Sequence, residues 1–452
     1  MAMKRFTKSQ PSKIMLLRSI LYVVLSCLCC GISGVAFAED ALDRMTRKKL
    51  QILRDAIENL KKERVEVKDP CPLKTYRANM HVHSHWSHDS RGQIEDIVAA
   101  AKRADTDILM FTEHPAAHYD IVKDGHQGMR DGVLLIPGAE TKGLLAYPKA
   151  SIRNADLMNT EEYFNAVQQT DGLAFISHLE ERMDLDIPGI TGNEIYNTHA
   201  DFKEEKRLVA SMRNPLWLIN TAPMIQQYPQ ESLLALLDYP ADYLKRWDEL
   251  GLAARHTGVA ANDSHQNVGI RLRLIEKDMV RVEDALGEKI LELNRKAAAE
   301  LIPLKEDAKE GDIVFQLLLD PYENSLRHAG TYLLLPEQTQ AAVWDALLHS
   351  RAYVCFDGLA SGRGVQWFAS SKDGNERVEL GGKIRRDSGV LFKGYSPQKA
   401  TWKIMHNGKE VHTETGYACQ YETEQPGMYR AELWLDVPQP KIWILTNPIT
   451  VE

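Results

Sequence analysis

From residue 75 onward, short apolar runs alternate with longer stretches in which apolar residues recur every three or four positions. The runs Arg77–Val82, Asp107–Thr112, Val133–Ala139, Leu173–Ser177, Asn193–Asn197 and Gly258–Asn262 predict strands. Between the first two, Ile94, Ile97, Val98 and Ala101 share one helical face. Repeated strand–helix units predict a parallel sheet, either an open sheet or a barrel. Upstream, Leu42, Met45, Leu50, Leu53, Ile57 and Leu60 predict an amphipathic leader helix over residues 40–66, which Asp69-Pro70-Cys71-Pro72 ends. Residues 200–256, rich in Leu, Ala, Lys and Glu, read as an inserted helical segment. Asp284–Leu301 and Pro336–Ser350 predict helices, the second followed by a strand over Ala352–Asp357.

The texture changes at about residue 362. Trp402–Met405, Tyr429–Leu435 and Ile442–Leu445 predict antiparallel strands between turns, and Asn407-Gly408 is a strong hairpin signal. The chain therefore divides into residues 39–74 (leader helix and linker), 75–360 (an α/β unit carrying the helical insertion) and 362–452 (an all-β sandwich).

The first 38 residues differ from all of this. Lys4, Arg5, Lys8, Lys13 and Arg18 precede an apolar run from Ile20 to Ala36, and Ala36-Phe37-Ala38 closes it. That is the layout of an export signal, with cleavage expected after Ala38 and a periplasmic or secreted product. An uncleaved anchor is the alternative, although the run is short for a spanning helix, and Val24-Leu25-Ser26-Cys27 faintly resembles a lipoprotein cleavage box. Losing those five basic residues takes the formal charge from −8 to −13. So acidic a protein is a poor binder of long nucleic acid, which requires phosphate neutralisation. Of the six cysteines only Cys71, Cys355 and Cys419 lie beyond the signal, which allows at most one internal disulfide.

The chemistry is concentrated at the ends of the predicted strands. His81, His83, His85, His88 and Asp89 lie within nine residues. Buried imidazoles need partners, so this density points to a metal site, and imidazole with carboxylate suits Zn, Mn or Fe. If the segment is extended, alternation puts His81 and His83 on one face. Later strands end in Glu113-His114, Pro137-Gly138-Ala139-Glu140, Ser177-His178, Glu194-Ile195-Tyr196-Asn197-Thr198-His199 and Asp263-Ser264-His265.

This ordered set resembles the PHP superfamily of polymerase and histidinol phosphatase domains. The first motif, H-x-H-[ST]-x-x-S-x-D, is matched from His81 to Asp89, and the remaining motifs follow in order to about residue 270. Trp443–Ile449 resembles the sandwich modules of some exported members. The resemblance implies a distorted seven-stranded (β/α) barrel with two or three divalent ions at its C-terminal rim. His81, His83, Glu140 and Asp263 would hold the first ion. Glu140 would bridge to a second, completed by His178 and His199. Asp89, His114 and His265 would hold a third. Glu113 departs from the family pattern, which often has Asp there, and would orient a ligand.

The implied activity is metal-dependent hydrolysis of a phosphoester in a small phosphorylated molecule, by water whose pKa the ions lower from about 15.7 toward 7. Action on a nucleotide diester or a short nucleic acid end is an alternative, and a non-catalytic metal-stabilised binding protein is another. His85, His88 and His118 are candidates for proton transfer, and Arg182 for a phosphate contact. His126, His256, His328, His349, His406 and His412 fit no motif and read as surface or packing residues. The aromatic residues Trp402, Tyr429, Trp434 and Trp443 read as core rather than as a carbohydrate-binding face.

Overall fold

The structure, a computed structural model, describes residues 40–452 apart from 69, 70, 72, 277, 301, 306 and 388. The predicted export signal lies outside the described residues. The leader helix is present as Arg47–Glu63, capped by the Thr46 hydroxyl and burying Leu50, Leu53 and Ile57.

The α/β unit is a strongly curled mixed sheet. Its strands are β1 (Lys74–Val82), β2 (Ile108–Phe111), β3 (Gly128–Arg130), β4 (Val133–Ile136), β5 (Ala139–Thr141), β6 (Leu144–Tyr147), β7 (Leu173–Ile176), β8 (Gly192–Asn197) and β9 (Thr257–Ser264). β1, β2 and β4 run parallel, as do β1, β9, β8 and β7. β6 is antiparallel to both β5 and β7. This strand escaped the sequence analysis; the Lys142-Gly143 turn that forms the β5–β6 hairpin, with both residues at positive φ, was its signal. The expected barrel is not continuously closed: β5 meets the end of β2 through a single bridge between Glu113 and Ala139.

The strands read as uninterrupted apolar runs because both faces are covered. Inward residues such as Met80, Met110, Leu145 and Phe175 pack on Trp344 and Leu347 of the helix Gln340–Leu348. Outward residues Val82, Leu109 and Leu135 pack on Ile94, Ile97 and Val98 of the helix Ile94–Arg103. That helix places Glu95 and Asp96 in its first turn and Lys102 and Arg103 in its last, complementing its dipole.

Residues 200–256 are helical, as expected. The helix expected over Asp284–Leu301 is a correction. The chain there forms part of a four-stranded antiparallel sheet of β10 (Gly269–Glu276), β11 (Met279–Asp284), β12 (Lys289–Asn294) and β13 (Ile313–Leu318), and only Arg295–Ala299 is helical. Gly287, at φ 103°, makes the turn that separates β11 from β12.

β14 (Gly330–Leu335) lies antiparallel along the first half of β1, and β15 (Ala352–Cys355) along β14. β15 in turn pairs with Ile444–Thr446, so one sheet runs from the α/β unit into the all-β C-terminal region. There, Trp402, Tyr429 and Trp443 are buried in one core, with Trp434 at its margin. Asn447, wholly buried, donates to the carbonyls of Gly258 (3.0 Å) and Ala352 (2.9 Å) and accepts from the N–H of Gly258 (2.8 Å). It ties the C-terminal region to the root of β9. Cys355 and Cys419 are buried and form no disulfide.

Candidate metal centre

The C-terminal ends of β1, β2, β7, β8 and β9, with the middle of β5, converge on one rim, and every motif residue lies there. Three of them, His81 (φ 62°), His178 (φ 46°) and Asp263 (φ 50°), adopt the left-handed conformation. In a non-glycine residue this costs roughly 1–3 kcal/mol and is tolerated where surrounding contacts fix it. At His81 it coincides with a register shift in the pairing of β1 with β2 and β9. The simple alternation expected for His81 and His83 is therefore broken by a bulge, yet both rings still face the same point. Their Nε2 atoms lie 3.2 Å and 3.6 Å from Glu140 Oε2, and the same two distances from Asp263 Oδ1.

The remaining motif residues complete the cluster. His178 Nε2 is 3.2 Å from Glu140 Oε1 and 3.5 Å from Asp263 Oδ2. His199, two-fifths exposed, places Nδ1 2.8 Å from Asp263 Oδ2. Asp89 Oδ2 is 3.4 Å from His114 Nε2 and 3.3 Å from His265 Nε2. Two groups stand out, each with one donor atom per residue and all atoms within 4.8 Å of one another: His81, Glu140, His178 and Asp263, and His83, Asp89, His114 and His265. His83 joins them, since its ring also stacks on that of His265 at 3.9 Å.

Hydrogen bonds at the far side of the rings set the orientation. His81 Nδ1 donates to Glu194 at 2.7 Å, His178 Nδ1 to Glu180 at 3.1 Å, and His265 Nδ1 to the carbonyl of Asp263 at 3.1 Å. His83 Nδ1 donates to Ser87 Oγ at 3.0 Å, because the hydroxyl proton of Ser87 is committed to Glu113 at 2.7 Å. Each bond turns an Nε2 lone pair toward the cluster. Glu113 therefore acts on His83 through Ser87, and it also accepts the hydroxyl and backbone N–H of Ser84. Glu194 also accepts the His178 N–H at 2.8 Å and the Asn197 amide at 2.9 Å. Tyr322 donates to the His83 carbonyl at 2.7 Å, and Gly92 is required beside it, since a Cβ there would lie 2.1 Å from the Tyr322 oxygen. Glu194 and Tyr322 were not singled out from sequence as site residues. Their roles arise from strand adjacency and from a segment nearly 240 positions away.

The electrostatics suit cations. Burial alone would raise Glu140 and Asp263, but the ring of His81 between them holds both carboxyls well below the usual range. Burial opposes charge on His178, yet hydrogen bonds to Glu140 and Glu180 outweigh it and hold the ring up at about 10. His265 is held at about 8, burial again opposing and Asp89 prevailing. Burial and its cationic neighbours His265 and His81 push His83 down. Without an ion, protons occupy positions that suit metal cations.

His81 Nε2, His83 Nε2, His265 Nε2, Asp89 Oδ1 and Asp263 Oδ1 are buried with no hydrogen-bond partner, and they belong to the converging set. Buried polar atoms without partners are costly and need an explanation. Divalent ions held by imidazole and carboxylate supply one.

The other candidates fall around this cluster. His88 is exposed, with its ring 5.0 Å from that of His114. His85 and His118, both exposed, pack on Trp86 at 5.0 and 6.2 Å. Arg182 donates to the carbonyls of Ser177 and His178 at 3.1 and 3.2 Å, which supports the His178 loop from behind. His256 and His328 are buried packing residues.

Residues 79–295 match the PHP domain family. A solved structure from Bacteroides vulgatus ATCC 8482, described as a two-domain protein containing a predicted PHP-like metal-dependent phosphoesterase, is similar at 14% identity. That likeness covers 85% of this chain and 98% of the other, with a TM-score of 0.38. No curated protein matches the sequence.

Proposed function

We propose that this protein is a metal-dependent phosphoesterase acting on a small phosphorylated molecule. The observation that carries the reading is the convergence of buried, hydrogen-bond-free ring nitrogens and carboxylate oxygens at one rim. His81, His83, Glu140, Asp263, His178 and His199 would hold two ions, and Asp89, His114 and His265 a third. Bound divalent ions would neutralise charge on a phosphoryl group and acidify the attacking water.

The protein's own groups have separable tasks. Glu194, Ser87 with Glu113, Glu180 and the Asp263 carbonyl fix which ring nitrogen faces inward. In hydrolysis the water oxygen bonds to phosphorus, the ester P–O bond breaks and the water proton ends on the leaving oxygen. His88, exposed beside Asp89 and His114, is the group we place on that proton's route. The formal charge argues for a compact substrate rather than long nucleic acid. The N-terminal export pattern supports a reaction outside the cytoplasm.

Purified protein loaded with Mn²⁺ or Zn²⁺ should release phosphate from phosphomonoesters, faster than it cleaves bis-p-nitrophenyl phosphate. His81→Ala and a chelator should each abolish release. No hydrolysis of any ester, with metal demonstrably bound, would overturn the reading.

A further inference from the structure

Beside the rim lies a cavity of about 100 Å³ whose lining includes His199, Asp263 and His265. Its walls are Phe202, Met212, Trp217 and Leu236 from the helical insertion, and Val268 and Leu319 from the segments flanking the four-stranded sheet. Nothing in the ligand arrangement requires an apolar chamber at this position. Apart from His199, Asp263 and His265, which belong to the rim cluster, the polar side chains lining the cavity make hydrogen bonds inside the protein. Asn262 donates to the carbonyls of Ser325 and Ala329 and accepts from Asn79. Asp320 accepts the N–H groups of Asn267 and Val268, and the Asn267 amide donates to the Asp89 carbonyl. The hydroxyls of Ser232 and Ser325 are bonded to the Tyr228 carbonyl and to Ser264.

A sugar or nucleoside entering this chamber would lose most of its hydrogen bonds to water without replacement, which is a strong penalty. A hydrocarbon group would gain by leaving water; a closed apolar cavity of roughly 150 Å³ holds a benzene ring whole, so this chamber of about 100 Å³, open on one side, would bury most of one. We infer that the cavity receives the leaving alcohol of the substrate, and that this alcohol is a compact hydrocarbon, an aryl or arylalkyl group, rather than a sugar or nucleoside. The inference rests on the phosphoesterase reading and names the substrate class of that site.

The test compares primary alcohols of similar leaving ability on the metal-loaded, full-length protein: 2-phenylethyl phosphate, ribose 5-phosphate and glycerol 1-phosphate. kcat/KM for the phenylethyl ester should exceed the other two by about 30-fold, the gain expected from burying one ring. Met212→Ala and Trp217→Ala should each bring that ratio toward one. Saturable binding of 2-phenylethanol, followed by calorimetry, should weaken in Trp217→Ala, in metal-loaded and metal-free protein alike. Equal or better turnover of the hydroxylated esters by the unmutated protein would overturn the inference and leave the phosphoesterase reading standing. Should no ester be hydrolysed, that reading fails, and the alcohol titration alone decides the cavity: absence of saturable binding overturns its assignment, and Trp217-dependent binding upholds it as an apolar ligand site.

Discussion

Glu194 accepts the Nδ1 proton of His81 at 2.7 Å, and both side chains are wholly buried. The same carboxylate accepts the backbone N–H of His178, so two inward-facing rings on β1 and after β7 depend on one residue of β8. Glu194→Gln places an amide N–H₂ where one of these donors now points. Metal affinity should fall about 10–100-fold, the usual loss when a group orienting a ligand is changed. Competition with a metal-buffering chelator would measure it; unchanged affinity would show that His81 orients itself.

Metal loading should release protons. Glu140 and Glu180 hold His178 at about 10, above the ordinary histidine value of 6.5, so the ion-free ring is charged at pH 7. An ion at its Nε2 must displace that proton, and apparent affinity must therefore fall as pH drops from 9 to 6. Calorimetric titrations in HEPES and Tris, whose ionisation heats differ, should report about one proton or more released per protein at pH 7. A buffer-independent heat would contradict this.

Acid should destabilise the ion-free fold through two other histidines. Burial pushes His256 down to about 4 and His328 down to about 3, so both stay neutral in the folded chain. Between these values and pH 6.5 the unfolded state binds protons that the folded state does not. Stability therefore falls as pH drops through 6.5 toward 4, by at most about 1.4 kcal/mol per pH unit for each ring. Urea midpoints between pH 7 and 4.5 should fall less steeply in His256→Gln than in the parent. Equal slopes would assign the acid sensitivity elsewhere.

Asn447→Ala should cost about 2–4 kcal/mol, because the buried N–H of Gly258 and the carbonyls of Gly258 and Ala352 lose their partner. Denaturant unfolding would measure this loss. Since β9 also carries Asp263, metal content at limiting ion should fall in parallel. A loss below about 0.5 kcal/mol, the range of ordinary surface substitutions, would remove the tie.

The parallel strands were legible because burial on both faces writes them as apolar runs, and the residues that cluster at the rim because they end those runs. The β10–β13 sheet was not. Leu291 and Leu293 alternate as a strand should, but the Ala-rich stretch 297–299 and the surrounding Leu, Glu and Lys gave a helical reading, and Gly287 was not taken as a turn. The partners of the ligands were hidden for a different reason. Glu194 meets His81 because β8 and β1 both flank β9, and Ser87 accepts from His83 because Glu113, on a neighbouring strand end, takes its hydroxyl proton. Periodicity records which face a residue occupies, and says nothing of which strand lies next to it.

β14 and β15 hold a consequence for the molecule's history. One lies along β1, which bears His81, and the other along Ile444–Thr446 near the chain's end. A descendant that exchanged its tail for an unrelated module would leave β15 as a bare edge, open to pairing with other chains. Tail and rim share one sheet, so a fragment ending near residue 360 would carry that open edge beside the site.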